Sequence, residues 1–248
     1  MGFGTMGVED PETVAAAIDC GYRHVDTAQI YGNEAAVGEG IARSAVDRAE
    51  LVVATKVWVD RLGGESVIPS VRESLDRLGL DRVDLLYVHR PTGAYDPEET
   101  LPAFERAVEL GLTDAIGVSN FELPALEAAR SRLSLPIAVH QIEHHPLFRR
   151  ESLLQEAAAH DTAVVGYSPL AGGAVFDLEP VRSVAEDRGR SPAAVAIAWA
   201  RARGVVPIPK ASTREHLRAN LAATDLELTD DELAAIDGID RERELFPE

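Results

Sequence analysis

Residues 21–43, GYRHVDTAQIYGNEAAVGEGIAR, decide the fold because they contain one complete strand–loop–helix unit. A short, mostly apolar run at Tyr22–Val25 leads into a polar loop that begins at Asp26, and a helical pattern occupies Glu34–Arg43. The run is nearly continuous rather than alternating, which is typical of a strand buried on both faces of a parallel sheet. The segment therefore predicts a parallel strand followed by a helix.

The same unit recurs along the whole chain. Further strand-like runs are Phe3–Thr5 (partial), Leu51–Ala54, Val83–Val88, Ala115–Val118, Ile137–Val139, Ala163–Gly166 and Val205–Ile208. Helical patterns lie between them at Glu65–Leu78, Pro97–Glu109, Leu123–Arg130, Ser152–His160 and Pro192–Arg203, with helix-start signals at Asp96-Pro97 and Ser191-Pro192. Eight such units without an internal linker predict one (β/α)₈ TIM-barrel domain over residues 1–248. A doubly wound open sheet is the main alternative.

The composition excludes several classes of protein. The chain carries 24 Lys and Arg against 42 Asp and Glu, a net charge of −18, and 46% of its residues are hydrophobic. This apolar content supports a packed core and excludes a disordered acidic chain. Neither nucleic acid nor an anionic membrane is expected as a partner, because each requires a basic face. The acidic charge also suggests a protein adapted to high salt, where self-repulsion is screened.

Three features of the sequence indicate a cytoplasmic protein. The single cysteine, Cys20, cannot form an internal disulfide, which favours a reducing compartment. No apolar run approaches the roughly 20 residues of a membrane span. The first residues, MGFGTMGVEDP, lack the basic region and apolar core of a signal peptide.

Polar residues that can bind or catalyse stand at the ends of seven consecutive strand-like runs. In a barrel these ends form one rim, which is where active sites lie. A purely structural barrel places a few such residues there by chance, whereas seven in succession favour an active site. The residues are Asp26, Lys56, His89, Ser119-Asn120, Gln141, Tyr167-Ser168 and Lys210.

Asp26, Tyr31, Lys56 and His89 form a candidate acid–base set. A tyrosine is a poor acid, with an ordinary pKa of about 10. A nearby ammonium favours the phenolate, and a carboxylate can hold that ammonium in place. A histidine beside the phenol can orient a carbonyl group or assist proton transfer. Without the surrounding motifs, Asp26 and Lys56 are also compatible with a structural ion pair, and Tyr31 with a half-buried core residue.

The N-terminal glycines imitate a dinucleotide-binding fingerprint. Gly2, Gly4 and Gly7 spell G-x-G-x-x-G, and Asp26 lies at about the distance expected of a ribose-binding acid. However, no strand precedes Gly2, and acidic residues follow where a pyrophosphate would meet a helix N-terminus. We therefore interpret Gly2 and Gly4 as sites of close packing.

A histidine cluster raises the question of a metal. His140, His144 and His145 lie close together in the sequence. No cysteine or carboxylate set completes the coordination that a zinc site requires. The sequence therefore predicts no metal site.

The motifs GYRHVDTAQIYGNEAAVGEGI, TKVW, LLYVHRP, GVSNF, HQIEHHP, GYSPLAGG and PIPKAST, in this order, resemble the aldo-keto reductase family over nearly the whole chain. The resemblance is to prokaryotic members of the diketogluconate and aldehyde reductase type. It implies a monomeric barrel that reduces aldehyde or ketone carbonyls with NADP(H) bound across its C-terminal mouth. It also implies that Tyr31 is the general acid, that Lys56 and Asp26 lower its pKa, and that His89 orients the substrate carbonyl.

The resemblance also implies which residues hold the cofactor and line the pocket. Ser119, Asn120 and Gln141 would bind the nicotinamide carboxamide, and Tyr167 would stack on the nicotinamide ring. Trp58 would form a wall of the substrate pocket, beside His89. The contacts implied for the pyrophosphate, the 2′-phosphate and the adenine are Ser168, Leu170, Gly172, Lys210, Ser212, His216 and Asn220.

One departure from the family pattern concerns the cofactor. His216 and Ala219 stand where many members have arginine and glutamate, respectively. A neutral histidine does not bind the cofactor 2′-phosphate as the paired donors of an arginine do. The use of NAD(H), or of both cofactors, is therefore left open. A locally basic stretch would still attract an anionic cofactor. It consists of Arg201, Arg203, Lys210, Arg214 and Arg218.

Other departures concern the substrate pocket. Arg90 replaces the tryptophan that usually follows the catalytic histidine; it either brings a positive charge to the mouth and favours acidic substrates, or points outward. The usual N-terminal hairpin and the start of the first strand are missing, and the C-terminal loop is short, so we expect an open, permissive pocket.

Two other functions remain as alternatives: a redox-inactive, nicotinamide-binding regulatory barrel, and a Schiff-base lyase that uses Lys56.

Overall fold

Eight parallel strands form one sheet whose order follows the sequence in a computed structural model that describes residues 1–247. Neighbouring strands pair in parallel from the first to the eighth. The strands are β1 (Phe3–Gly4), β2 (His24–Asp26), β3 (Val52–Val57), β4 (Val83–Val88), β5 (Thr113–Ser119), β6 (Ile137–Glu143), β7 (Ala163–Tyr167) and β8 (Val205–Pro207).

Backbone hydrogen bonds join the two edges of this sheet. The amide of Gly2 donates to the carbonyl of Pro207 (3.0 Å), and the amide of Gly4 donates to the carbonyl of Pro209 (3.4 Å). The sheet is thereby closed into a barrel. This confirms the predicted (β/α)₈ fold, and the doubly wound open sheet is wrong.

Helices connect the strands and surround the barrel. Proline at the first helical position and a side-chain cap mark two of the predicted starts: Asp96 accepts from the amide of Glu98 (2.9 Å), and Ser191 accepts from the amide of Ala194 (3.1 Å). Within residues 1–247 the helices are α1 (Pro11–Cys20), α2 (Glu34–Arg43), α3 (Gly64–Leu78), α4 (Pro97–Glu109), α5 (Leu123–Arg132), α6 (Glu151–Ala159), α7 (Glu179–Arg188), α8 (Pro192–Ala202), α9 (Arg214–Ala222) and α10 (Asp230–Asp237).

Several strands end later than the apolar runs predict. The runs end before the polar residues, but β2, β3, β5, β6 and β7 continue through Asp26, Lys56, Ser119, Gln141 and Tyr167. The reason is that backbone pairing does not require an apolar side chain, and these side chains lie at the mouth of the barrel. The start of β2 also differs. Tyr22 precedes this strand, and its hydroxyl donates to the carbonyl of Leu217 in α9 (3.2 Å).

Alternate residues of β4 show how the core is divided. Leu86 and Val88 belong to the large cluster between strands and helices, which includes Phe104 of α4. Leu85 and Tyr87 belong to a small cluster inside the barrel, together with Ala54. The barrel interior is therefore filled by side chains, as in other eight-stranded barrels, and only its mouth can bind a ligand.

The N-terminal glycines serve the barrel closure, as interpreted from the sequence. A β-carbon on Gly4 would lie 2.7 Å from the carbonyl oxygen of Ile208, and one on Gly2 would lie 2.8 Å from the Ile208 side chain. Gly7 has a left-handed backbone (φ 71°). The dinucleotide-binding fingerprint is thus a coincidence of spacing in a barrel of different topology.

No helix within residues 1–247 combines the length and the apolar character needed to cross a membrane. The longest of these helices, α3, has 15 residues and contains several charged side chains.

Replacing Gly4 with alanine tests the closure. We expect Gly4→Ala to lower the free energy of unfolding by about 1–3 kcal/mol, because the new methyl group would press on a backbone carbonyl that cannot rotate away. Urea denaturation measures the change. Gly63→Ala is the matched control, since no atom lies within 4 Å of its β-carbon position. Equal stabilities of the two variants would contradict the close contact at the closure.

Candidate active site

A cavity of about 490 Å³ opens at the carboxyl ends of the strands, a size that suits a small-molecule site. Most of the predicted site residues lie in its wall. Lys56 lies below the wall, whereas Ser212, His216 and Asn220 lie outside it. The wall contains Asp26, Tyr31, Trp58, His89, Ser119, Asn120, Gln141, Tyr167, Ser168, Leu170, Gly172 and Lys210.

A buried ion pair forms the base of the cavity. The ammonium of Lys56, which is fully buried, pairs with Asp26 and also donates to the carbonyl of Thr27 (2.9 Å). The second carboxylate oxygen of Asp26 accepts from Nε2 of Gln141 (2.7 Å). Burial opposes the charge on Lys56, but Asp26 and Tyr31 favour it more strongly, so the pKa of Lys56 is raised. The lysine therefore stays charged.

Tyr31 stands directly above this ammonium, with its ring centroid 5.3 Å from Nζ of Lys56. It ends a 3₁₀ turn, Gln29–Tyr31, which Gly32 terminates in the left-handed conformation (φ 67°). Gln29 fixes the turn, because its amide accepts from the backbone of Trp58 (2.9 Å) and donates to the hydroxyl of Ser74 (3.0 Å).

Asn33 anchors the far side of the same loop. Its buried amide donates to the carbonyls of Thr5 (2.7 Å) and Val8 (2.8 Å) and accepts from the hydroxyl of Thr27 (3.0 Å). Since Thr27 also accepts from Lys56, the loop that carries Tyr31 and the ion pair belong to one hydrogen-bonded unit. Asn33 was not among the predicted site residues, although it lies within the quoted motif.

Burial controls the acidity of Tyr31 more than its neighbours do. Burial raises the pKa of the Tyr31 hydroxyl, Lys56 opposes this by lowering it, and Asp26 raises it, with a net result above the ordinary value. The expectation that Lys56 and Asp26 both lower the pKa of Tyr31 is therefore corrected: of these two residues only Lys56 acts in that direction, and burial outweighs it. Tyr31 keeps its proton at neutral pH, as a proton donor must.

His89 is neutral and faces Tyr31 and Trp58 edge-on. Burial, and then the charges of Lys56 and Arg90, lower the pKa of His89 to about 2. Its ring centroid lies 6.0 Å from that of Tyr31 and 4.9 Å from that of Trp58. Within residues 1–247, its Nδ1 is buried without a hydrogen-bond partner, which leaves Nε2 for a ligand.

Asn120 links three parts of the rim. It has a left-handed backbone (φ 61°), and its amide nitrogen donates to the carbonyl of His89 (3.0 Å) and to the hydroxyl of Ser119 (3.1 Å). Its amide oxygen accepts from the hydroxyl of Tyr167 (2.8 Å). Within the predicted carboxamide-binding set, Asn120 is therefore largely bound to the protein itself. The Ser119 hydroxyl lies in the same cavity wall and can donate to a ligand.

The segment after β7 fits an anionic cofactor group. Ser168, Ala171, Gly172 and Gly173 have positive φ angles of 51°, 50°, 61° and 95°. Such a conformation costs energy at a non-glycine residue and is typical of backbone concavities that bind anions. The amides of Ala171 and Gly173 donate within the segment, to the carbonyls of Ser168 and Leu170 (2.8 Å each), and hold its shape. With Lys210 in the same wall, this segment suits a diphosphate such as that of a nicotinamide dinucleotide.

The basic stretch that follows in the sequence does not form one patch. Arg201 donates to the carbonyl of Thr224. Arg203 pairs with Asp237, and its guanidinium carbon lies 5.5 Å from the ring centroid of Trp199. These two arginines therefore hold the outer helices together, contrary to the expectation that the whole stretch attracts the cofactor. Of the predicted adenosine contacts outside the wall, Ser212 and His216 are exposed, and Asn220 is buried.

Besides Asn33, three further residues near the cavity were not predicted. Tyr87 lies in the barrel interior with its ring centroid 5.6 Å from Nζ of Lys56. Glu143, also buried, accepts from the backbone amides of Leu245 (2.8 Å) and Phe246 (3.2 Å). Phe246 is thereby placed in the cavity wall, 5.8 Å from the ring of Tyr167. The expected open pocket is thus partly covered. Glu143 stood within a quoted motif, but nothing in the sequence links it to Phe246.

The three histidines in and directly after β6 do not come together around a metal. His140 is buried, and the ring of His144 stacks on that of Trp199 with 4.9 Å between the ring centroids. His145 shares a hydrogen bond with Glu143 (2.8 Å). The side chains of residues 1–247 contain no group of three His, Cys, Asp or Glu residues arranged to hold a metal ion. His144 and His145 thus have a packing and a hydrogen-bonding role, respectively.

Comparison with known proteins agrees with this geometry. The family described as the Aldo/keto reductase family matches residues 1–241. An aldo-keto reductase of Mycolicibacterium vanbaalenii is 41% identical over all of this chain and 90% of its own length. The methylglyoxal reductase DkgB of Salmonella typhi is 39% identical over all of this chain and 95% of its own. A crystal structure provisionally assigned as a 2,5-diketo-D-gluconic acid reductase B superimposes with a TM-score of 0.95 at 36% identity, covering 100% of this chain and 90% of that one.

The barrel, the acid–base residues at its mouth and these relatives together define an oxidoreductase that acts on carbonyl groups. The chain belongs to the aldo-keto reductase family. Members of this family use nicotinamide cofactors and act on small carbonyl compounds.

The buried histidines predict a loss of stability in mild acid. Burial lowers the pKa of His140 to about 3 and that of His144 to about 4, whereas the unfolded chain has an ordinary histidine pKa of about 6.5. The unfolded state therefore binds more protons in this range. The contribution of the two neutral histidines to the free energy of unfolding is complete above about pH 6.5. It decreases by up to about 1.4 kcal/mol per histidine for each pH unit below that value.

His144→Phe tests this contribution, because phenylalanine keeps the stacking on Trp199 but cannot titrate. Between about pH 7.5 and 5, its free energy of unfolding in urea should depend on pH less steeply than that of the wild type, by up to about 1.4 kcal/mol per unit. Replacement of the exposed His160 with glutamine is the control for removal of a histidine from the surface. A His144→Phe slope equal to that of the wild type would contradict the assignment.

Proposed function

We propose that this protein reduces aldehydes and ketones to alcohols with NAD(P)H, using Tyr31 as the proton donor. The observation that carries the proposal is the stack of Asp26, Lys56 and Tyr31 beside a neutral His89 in one cavity. A protonated phenol above a fixed ammonium is the arrangement that proton donation to a developing alkoxide requires.

Each residue of the stack has a defined part in the reaction. A nicotinamide cofactor, when bound, supplies the hydride that adds to the carbonyl carbon. The carbonyl oxygen accepts hydrogen bonds from the Tyr31 hydroxyl and from Nε2–H of His89. Tyr31 then transfers its proton to this oxygen, so that one hydride and one proton convert the carbonyl into an alcohol. Lys56 stabilises the remaining phenolate, Asp26 holds Lys56, and a proton from solvent restores the phenol.

NADP(H) is the cofactor that we propose, with NAD(H) or dual use decided by experiment. Lys210 and the left-handed segment after β7 support binding of an anionic cofactor in general. Arg214 and Ser212, exposed at the start of α9, support a phosphate beyond the cavity wall. The acidic composition supports a protein that works in high salt, and the single cysteine supports a reducing, cytoplasmic compartment. The proposal that the protein is a monomer rests on the resemblance to the family.

The geometry disfavours the Schiff-base lyase. An amine must lose its proton before it can attack a carbonyl, but the pKa of Lys56 is raised and its ammonium is bound to Asp26 and Thr27. Lys56 also lies below the cavity wall, out of reach of a substrate. A redox-inactive barrel would have no use for a buried acid–base stack.

Replacing Tyr31 with phenylalanine tests the proposal. We expect Tyr31→Phe to bind cofactor like the wild type, as measured by cofactor fluorescence, but to lose about 10²–10⁴-fold in kcat because the proton donor is gone. Methylglyoxal is a first substrate, since a relative carries that name. The assay follows NADPH and NADH oxidation in parallel, at low and high salt. Tyr95→Phe, the same change outside the cavity wall, should retain full activity.

The alternatives give different results in the same assay. Normal turnover by Tyr31→Phe would contradict its role as the acid. Binding of cofactor by the wild type without consumption of any carbonyl would indicate the redox-inactive barrel. Trapping of a carbonyl compound on Lys56 by borohydride would indicate the lyase.

A further inference from the structure

The ammonium of Lys56 has a second aromatic neighbour besides Tyr31. Its Nζ lies over the ring of Tyr87, 5.6 Å from the centroid, and over the ring of Tyr31, 5.3 Å from that centroid. Tyr87 is fully buried. The proposed reaction uses Tyr31, Lys56, Asp26 and His89 but gives no part to Tyr87. A large side chain enclosed in the barrel beside the acid–base stack therefore needs an explanation.

The register of three neighbouring strands places Tyr87 between Lys56 and a glycine. Tyr87 on β4 is paired with Lys56 on β3 and with Gly117 on β5. A β-carbon on Gly117 would lie 2.5 and 2.6 Å from two carbons of the Tyr87 ring. Glycine weakens the interior of a strand, and there it often marks the close approach of another group. The absence of a side chain at Gly117 thus makes room for this ring.

The Tyr87 hydroxyl does not act as a second acid. Burial, and then the charge of Asp26, raise the pKa of Tyr87 well above its ordinary value, although Gln141 lowers it. Tyr87 belongs to the interior cluster of the barrel with Leu85, and like Lys56 it lies below the cavity wall. It is therefore a neutral ring out of reach of a substrate, in contact with a buried charge.

A neutral ring suits the place beside Lys56 because of the charges near Tyr31. Lys56 is fully buried, and burial opposes its charge. A second carboxylate would stabilise the ammonium but would also repel the phenolate that forms on Tyr31. Besides burial, Asp26 already raises the pKa of Tyr31 in this way, against the effect of Lys56. The face of an aromatic ring attracts a cation without carrying a net charge.

We infer that Tyr87 is a positioning residue: the face of its ring holds the Lys56 ammonium from inside the barrel, where that charge stabilises the phenolate of Tyr31. Asp26 and the carbonyl of Thr27 accept hydrogen bonds from the same ammonium, and the ring adds a contact that needs no hydrogen bond. Such a contact is strongest where water is excluded. This inference rests on the proposed reductase function and adds a residue to its mechanism.

Phenylalanines with increasing fluorination test the ring face at nearly constant shape, because fluorine withdraws electrons from the ring and weakens its attraction for a cation. The measurement is single-turnover reduction of 4-methylbenzaldehyde by NADPH. We expect Tyr87→Phe to stay within about twofold of the wild-type rate, since the ring remains. At position 87, 4-fluoro-, 3,5-difluoro- and 3,4,5-trifluorophenylalanine, incorporated by nonsense suppression, should lower the rate stepwise, by about 3–30-fold in all.

Phe104 provides the matched control. It is fully buried in the large cluster between strands and helices, outside the barrel interior that contains Lys56. The same fluorinated residues at position 104 should leave the rate unchanged. In both series the KM for the aldehyde and the Kd for NADPH should stay constant, because neither ring lies in the cavity wall.

The scarcity of lysine allows the contact itself to be observed. Lys56 and Lys210 are the two lysines of the chain, so protein labelled with [ε-¹³C]lysine gives one signal for each, and Lys210→Arg assigns them. The ring current of Tyr87 shields the ε protons of Lys56. We expect Tyr87→Leu to move these protons downfield and Tyr87→Phe to leave them near their wild-type position, with Lys210 unaffected in both variants.

Two results would overturn the inference. A rate that does not depend on fluorination at position 87 would show that Tyr87 only fills space. Lys56 signals that do not respond to Tyr87→Leu would show that the ring does not lie over the ammonium. The fluorinated series keeps the shape of the ring, so it decides the question even if Tyr87→Leu fails to fold.

Failure of the proposed reductase function would be recognised separately. In that case the wild type reduces no carbonyl compound, whatever residue stands at position 87. The lysine spectrum does not depend on turnover, and it still shows whether the ring of Tyr87 holds the ammonium of Lys56.

Discussion

The buried ion pair between Lys56 and Asp26 is the interaction on which the rest of the site depends. Removing two charges from water costs several kcal/mol for each ion, and the pair alone does not recover that cost. The hydrogen bonds of Thr27 and Gln141 satisfy the remaining ammonium and carboxylate capacity. The pair thus joins β2, β3 and β6 through the centre of the barrel mouth. An arrangement this costly is understandable because it holds a positive charge under Tyr31.

The use of lysine at this place has a physical reason. Only two of the 24 basic residues are lysines, and Lys56 is one of them. Its compact ammonium is fully buried beneath the ring of Tyr31 and beside that of Tyr87. The planar, wider guanidinium of arginine would not fit between these rings and the carboxylate. Arginine is used instead at the mouth, where Arg90 is half-buried.

Much of the fold and of the site could be predicted from local sequence. The strand Val83–Val88 and the helices Glu34–Arg43 and Pro97–Glu109 have the predicted bounds, because periodicity and caps are local signals. The predicted strand-end residues meet at one mouth because the barrel brings all the carboxyl ends together. The acidity of Tyr31 was misjudged because it depends on burial, and Phe246 was missed because Glu143 holds its backbone from 103 residues away.

Removing the ion pair without leaving a single buried charge tests the account most directly. The double variant Asp26→Asn/Lys56→Met should keep the fold and cofactor binding, since neither charge remains uncompensated. The measurement is single-turnover reduction of 4-methylbenzaldehyde by NADPH deuterated at nicotinamide C4. We predict that the wild type transfers deuterium to the alcohol carbon and that the double variant does so about 10²–10⁴-fold more slowly. An equal rate in both proteins, or an alcohol without deuterium, would contradict the account.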